Sequence, residues 1–452
     1  MSTTRLFDDN MYCFDQPQPS YWEATASDLP DVGEPLQGDA SCEVAIIGGG
    51  YTGLSAAYHL AKNHQVDVRV LDAGHIGWGA SGRNGGFCSM GGSFYGIDEL
   101  IKHYGLDAAR QHYKAQRDAV ELVRDLVVSE NIDARMQGDG ELEVAHSPRA
   151  FSHAASTAEI FREQIGVETE IFDADEVRER FCDSAFQYGG TLQRPTFGLH
   201  RLRFAKGLAA ATARRGATLH PLSEVLDWRK DGARHLLSTA AGTLRASTVV
   251  YATNGFLPER LHGDFFGVTL PLISAIVVTR PLSDDELAAH HWSTETPVFN
   301  TRPLMNYYRL LPDRRFMFGG RGHSTGDPAG SARNFERLIA ALHRQWPEWR
   351  NAAIEYKWHG FICVTRRLTP CIGRLDDDDS VYFGFGYHGN GVNNSNWTGK
   401  QIADWIGSGQ KTCPESIPAL MRGLADRFPL PGLRLRYLQT ALTWKRVVDR
   451  FS

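Results

Sequence analysis

The chain is short of several things, and each shortage excludes something. It carries seven cysteines, Cys13, Cys42, Cys88, Cys182, Cys363, Cys371 and Cys413, an odd number, widely spaced and without a CxxC. That argues against a disulfide framework or a metal site and predicts a reducing, cytoplasmic location. No run of 18 apolar residues occurs, so no membrane span is expected. The opening stretch, MSTTRLFDDNMYCFDQ, has no apolar core and does not read as a signal peptide. Basic charge is not in excess: 48 Lys and Arg stand against 53 Asp and Glu, a net charge of -5, which argues against a nucleic-acid partner. No Ser/His/Asp or Cys/His triad is evident either. With 42% hydrophobic residues over 452 positions, the composition is that of a globular protein of roughly two domains.

What the chain does have is glycine in the right places. "EVAIIGGG" reads as a short buried strand running into a glycine cluster, and "YTGLSAAYHLAKN" as a helix with Leu54, Ala57, Tyr58 and Ala61 on one face. Gly48, Gly50 and Gly53 fit G-x-G-x-x-G: one for the tight turn, one for pyrophosphate approach, one for close helix–strand packing. "VDVRVLDA" follows as a second strand and ends at Asp72, about where a ribose 2′-hydroxyl needs a carboxylate. A carboxylate there disfavours a 2′-phosphate, so NADP is not expected.

A long glycine-rich loop, "GHIGWGASGRNGGFCSMGG", comes next, where a plain NAD domain would continue into another crossover. Here the chain resembles the FAD-dependent D-amino-acid oxidase/glycine oxidase superfamily and, more narrowly, its γ-glutamylputrescine oxidase-like branch. The resemblance is carried by "SYWEATA", "VAIIGGGYTGLSAAYHLA", "IGWGASGRNGGF", "VVYATNGF", "NYYRLL…FMFGGR" and "GYHGNGVNNSNWTGKQIADWI", in family order over almost the whole chain.

The resemblance implies a mixed α/β fold: a Rossmann-like FAD-binding domain interleaved with a substrate domain on a mainly antiparallel sheet. Residues 40–95, 190–260 and 357–452 are expected in the FAD domain, 96–189 and 261–356 in the substrate domain, and 1–39 in an N-terminal extension. "LDAARQHYKAQRDAVELVRDLVVSENI" reads as an amphipathic packing helix, "NYYRLLPDRRFMFGGRG" as a hairpin about a Pro-Asp turn, and Asp376 to Asp379 as a solvated loop. The implied cofactor contacts are Gly48, Gly50, Tyr51, Thr52, Gly53, Asp72 and Ala73, then Trp78, Gly79, Ala80, Ser81, Arg83, Asn84, Gly85 and Gly86. To these the resemblance adds Val225, which reads equally well as core, then Ala252, Thr253, Asn254 and Gly255. The last group is Gly386, His388, Gly389, Asn390, Gly391 and Val392. Asn393 to Asn396 offer donors near the start of a helix whose N-terminus would face the flavin pyrimidine.

The implied chemistry is transfer of a hydride from the carbon of an unprotonated amine to flavin N5, followed by imine hydrolysis and reoxidation by oxygen or another acceptor. The favoured substrate is a γ-glutamylputrescine-like amine. A secondary amino acid such as L-pipecolate or sarcosine, or a structural or accessory FAD, are the alternatives. Tyr307, Tyr308, Arg309 and Arg321 are the candidate substrate contacts, either arginine being able to pair with a carboxylate or to form a structural ion pair. His388 and Tyr387 are the candidates beside the ring, His388 tuning it or facing oxygen, or serving structure alone. Where many relatives carry an acid after the strand threonine, this chain has Arg367. Cys363 stands one position off the register of covalent attachment, so FAD is expected to be non-covalent.

Overall fold

The computed structural model describes residues 5–256, 258–259 and 261–451; residues 1–4 of the expected extension and Ser452 lie outside the described residues. The chain opens its ordered core with β1 (Ala40–Ile47), α1 (Tyr51–His64) and β2 (Val68–Leu71). Then come α2 (Leu106–Ser129), β3 (Glu141–Val144), β4 (Glu168–Phe172), β5 (Gly190–Arg194), α3 (Arg201–Arg214), β6 (Thr218–His220) and β7 (Thr243–Tyr251). A second excursion holds β8 (Thr269–Pro281), β9 (Val298–Asn300), β10 (Tyr307–Leu310), β11 (Arg315–Arg321) and β12 (Ile354–Thr365). The chain ends with β13 (Cys371–Arg374), β14 (Val381–Phe385), α4 (Gly391–Ser408) and α5 (Arg434–Phe451).

Two sheets dominate. The first has the order β13-β14-β7-β1-β2-β6, with a hairpin Asp227–Asp231/Arg234–Ser238 attached to β7. Its β2, β6, β7 and β14 run parallel to β1 or to its neighbours, and β13 is antiparallel. Val44 to Ile47 are buried on both faces of β1, as a strand covered by two layers requires. The second sheet has the order β12-β8-β11-β10-β9-β3-β5-β4 and is antiparallel except between β9 and β3. The mixed, interleaved architecture is therefore present, but the expected boundary at 357 cuts through β12 and the one at 190 parts β5 from its sheet partners. Gly190–Arg194 and residues 357–365 belong to the second sheet, because they hydrogen-bond to β3 and β8. The amphipathic helix α2 is indeed packing, yet it packs on α4 and shares the core of the first sheet with α1, through Ala109, Tyr113, Val120 and Val123. Segment 96–189 is thus divided between the layers.

One contact positions the site. α1 and α4 lie so close that a Cβ on Gly399 would collide with the carbonyl oxygen of Thr52 and come within 2.7 Å of the Ala56 nitrogen. The Ser55 hydroxyl donates to the Asn396 carbonyl at 2.6 Å across the same seam. Neither backbone can yield without moving its helix, so Gly399→Ala is expected to lower stability by about 1–3 kcal/mol. A melting temperature equal to wild type would show that the helices can part freely.

Candidate functional site

The carboxyl ends of β1, β7 and β14 open onto a cavity of about 740 Å³, the usual place for a ligand in an open parallel sheet. Two helices begin at it. α1 starts after Gly50 and α4 after Asn390, and neither N-cap supplies a side-chain hydrogen bond. Both helices therefore present first-turn N–H groups and positive dipole ends to the cavity, a ready site for phosphate or a developing negative charge.

The first glycine turn is built by contacts. Gly48 has φ +108, and Gly53 is bare because a Cβ there would strike the Gly48 carbonyl. A Cβ on Gly50 would reach the Ser81 hydroxyl at 3.0 Å, while Ser81 Oγ accepts from Tyr51 N–H at 2.9 Å. Asp72 accepts from Gly49 N–H at 2.6 Å and Gly74 N–H at 2.8 Å, so its carboxylate braces the loop. Burial pushes its carboxyl up, against those two amides, to about 6. Gly48, Gly50, Tyr51, Thr52, Asp72, Ala73, Trp78, Gly79, Ala80, Ser81 and Asn84 line the cavity, as do Val225, Ala252, Thr253, Asn254 and Gly255.

The second turn is tied to the strand beside it. Asn254, at φ +47, accepts from Gly386 N–H at 2.9 Å. Tyr387, His388, Gly389, Gly391 and Val392 line the cavity. The Tyr387 hydroxyl shares a 2.7 Å hydrogen bond with Thr52. His388 adopts φ +53, its N–H donates to the Cys363 carbonyl at 3.1 Å, and its ring packs against Phe94 at 5.0 Å. Burial pushes its pKa down to about 4, so the imidazole is neutral at physiological pH. His388 Nδ1 and Thr253 Oγ1 are buried without a partner, and with the bare helix ends and the glycine cradle they fit a dinucleotide. Of the four residues Asn393 to Asn396, only Ser395 lines the cavity; Asn394 is exchanged with Gln116 of α2 through two side-chain hydrogen bonds.

Other expected residues lie just outside. Gly53, Arg83, Gly85, Gly86, Gly386 and Asn390 support the walls without lining them. Arg83 stacks on Trp78 at 3.7 Å, with both terminal nitrogens unpartnered. The substrate candidates also stand away from this cavity. Tyr308 is a correction. It sits 1% exposed in an aromatic core with Trp346 and Phe318, since strand alternation turns it to the face opposite Tyr307 and Arg309. Tyr307 shares a 2.8 Å hydrogen bond with Ser274, and Arg309 donates to the Leu199 carbonyl at 2.7 Å. Arg321 Nη1 is buried without a partner, on the face shared by Ser274 and Tyr307. Arg367 is spent on the carbonyls of Pro370, Arg422 and Gly423.

Sequence reasoning missed the outer wall: Tyr12 and Phe14 from the N-terminal segment, Phe256, Phe361, and the buried pair Arg434–Glu259. No local pattern announces them, because each acts through residues far away in sequence.

Comparison with known proteins follows the geometry. The DAO family, described as FAD dependent oxidoreductase, matches residues 43–405. Gamma-glutamylputrescine oxidoreductase of Escherichia coli K12 is 30% identical over 448 residues, spanning 96% of this chain and 98% of that protein. The crystal structure of glycine oxidase from Geobacillus kaustophilus superposes with a TM-score of 0.68 at 23% identity, covering 86% of this chain and 100% of that one. L-proline dehydrogenase from P. horikoshii gives 0.69 at 19% identity, covering 84% and 96%.

Gly50→Val is expected to purify colourless, its side chain filling the phosphate path. Asp72→Ala should weaken flavin binding by about 1–3 kcal/mol through a slackened loop. A fully yellow Gly50→Val protein would refute the phosphate-cradle assignment.

Proposed function

The chain belongs to the DAO family of FAD-dependent oxidoreductases, and on that premise we propose that the cavity holds FAD non-covalently and that the protein oxidises the C–N bond of an amine. A γ-glutamylputrescine-like amine is the favoured substrate, with oxygen as acceptor, in the cytoplasm. The observation that carries the reading is the convergence on one cavity of two glycine turns and two helix N-termini whose N-cap residues add no side-chain hydrogen bond. The full-length similarity to gamma-glutamylputrescine oxidoreductase supports the choice of amine.

Gly48, Gly50 and the α1 N-terminus would hold the pyrophosphate, Asp72 and Val225 the adenosine half, and His388 to Val392 the ring. Bound FAD supplies the hydride and electron acceptor. The chain's own work is orientation and electrostatics. The α4 N-terminus favours negative charge at the ring end, with Gly391 and Val392 in its first turn at the cavity wall. Tyr387, fixed by Thr52, and His388, fixed by the Cys363 carbonyl, close the wall without adding charge. Cys363 lines the cavity, but burial pushes its thiol up, so it carries little thiolate for attachment. All seven cysteines are free, in keeping with a reducing compartment. Among the described residues, no helix is long and apolar enough to cross a membrane, and no group of His, Cys, Asp or Glu is placed to hold a metal.

Anaerobic γ-glutamylputrescine is expected to bleach the flavin, and acid precipitation to leave the yellow colour in the supernatant. The bleaching rate should rise with pH as the substrate amine loses its proton. His388 should add no limb above about pH 5, since its folded-state pKa of about 4 keeps it neutral there, and His388→Gln should keep the shape of the profile. No bleaching by this or any other amine or amino acid would point to an accessory flavoprotein. Flavin retained on the denatured band would point to Cys363.

A further inference from the structure

Behind the Tyr51 wall of the cavity lies a cluster of donors that the proposed cofactor site does not use. The Tyr51 hydroxyl donates at 2.8 Å to the carbonyl of Arg201, the first residue of α3. The Arg201 side chain is 0% exposed, and its Nε, Nη1 and Nη2 all lack a partner. Its guanidinium lies 4.3 Å from the Trp22 ring and 5.7 Å from that of Trp358. Arg309 is 1% exposed, lies 5.5 Å from the same Trp22 ring, and leaves Nε and Nη1 unpartnered. The Trp22 indole nitrogen is unpartnered as well.

Donors are thus concentrated around one aromatic ring, and among the described residues the Leu199 carbonyl, which takes Nη2 of Arg309, is matched by no acceptor for the other nitrogens. Glu23 is the acid that senses Arg201, yet the two make no ion pair among the described residues. Tyr307 senses Arg201 from β10. A buried guanidinium left alone is costly, and two beside one ring are costlier. Cation–π contact with Trp22 offsets part of that cost and leaves Nε, Nη1 and Nη2 of Arg201 and Nε and Nη1 of Arg309 unsatisfied. Gly86 and Gly198 are bare where Arg309 passes, so the backbone is shaped around this side chain.

We propose that Arg201 and Arg309, against Trp22, form a buried site for a carboxylate. The planar guanidinium forks match a carboxylate in bidentate fashion. Two sources share this chemistry. One is the distal carboxylate of the amine substrate, which rests on the function proposed above. The other is a free small carboxylate bound apart from turnover.

The test uses the FAD-loaded protein with glutarate as the probe. Glutarate should raise the melting temperature by several degrees in wild type, and chloride or inorganic phosphate at equal ionic strength should not. Arg201→Met should keep full flavin content, lose the glutarate shift, and melt no lower than wild type without glutarate. Arg201→Lys should restore only part of the shift, lacking the fork; Arg201→Gln serves if the methionine variant does not fold. In kinetics, Arg201→Met should raise KM for γ-glutamylputrescine tenfold or more with putrescine unchanged if the carboxylate is the substrate's own. If both amines are unaffected while the glutarate shift is lost, the carboxylate is a separate ligand. No glutarate shift in wild type, a shift that survives Arg201→Met, or an equal shift with chloride or phosphate would overturn the site. Should no amine reduce the flavin, the proposed function fails, and the thermal arm still decides the carboxylate site.

Discussion

The close approach of α1 and α4 at Gly399 is the constraint on which the rest of the site depends. It brings two helix N-termini to the same side of the first sheet, and Ser55 locks their axial position through the Asn396 carbonyl. From there both first turns meet one cavity. The Asn254–Gly386 hydrogen bond then joins the turns that follow β7 and β14. Much of the polarity that the two turns present is consequently built from backbone amides and helix ends, which do not titrate.

The side chains around that frame are arranged to stay quiet. Asp72 is braced by two amides, Tyr387 by Thr52, and His388 is held neutral by burial. The outer wall is aromatic, with Phe14, Trp78 and Phe256 in mutual edge contacts. The charges of that wall, Arg434 and Glu259, are paired with each other. Charge concentrates instead behind Tyr51, where the arginines of α3 and β10 face Trp22.

The glycine turns were legible in the sequence because backbone contacts there admit no Cβ, and glycine records that limit directly. The spacing of Asp72 from the turn placed it beside the cavity, while its hold on the Gly49 and Gly74 amides was not in the pattern. Period-two alternation would have separated Tyr308 from Tyr307 and Arg309 had it been applied to the hairpin. The domain edges at 190 and 357 were misplaced because β5 and β12 reach their partners across long sequence intervals, which no local pattern reports. Arg201 was illegible for a similar reason: from its neighbours it reads as the first turn of a helix. Its surroundings come from Trp22 and Trp358, which lie far off in the chain.

The strand order of the first sheet has a consequence for biogenesis. β1 is made some two hundred residues before its neighbour β7, and β14 with α4 follows more than a hundred residues after that. A nascent chain on the ribosome therefore holds the first glycine turn long before the second exists. The half-built nucleotide cleft has no counterpart for the ring, and the strand edge that will receive β14 stays open. Flavin held by both turns must wait for α4, so the cell's free flavin supply acts on a chain in which both glycine turns already exist.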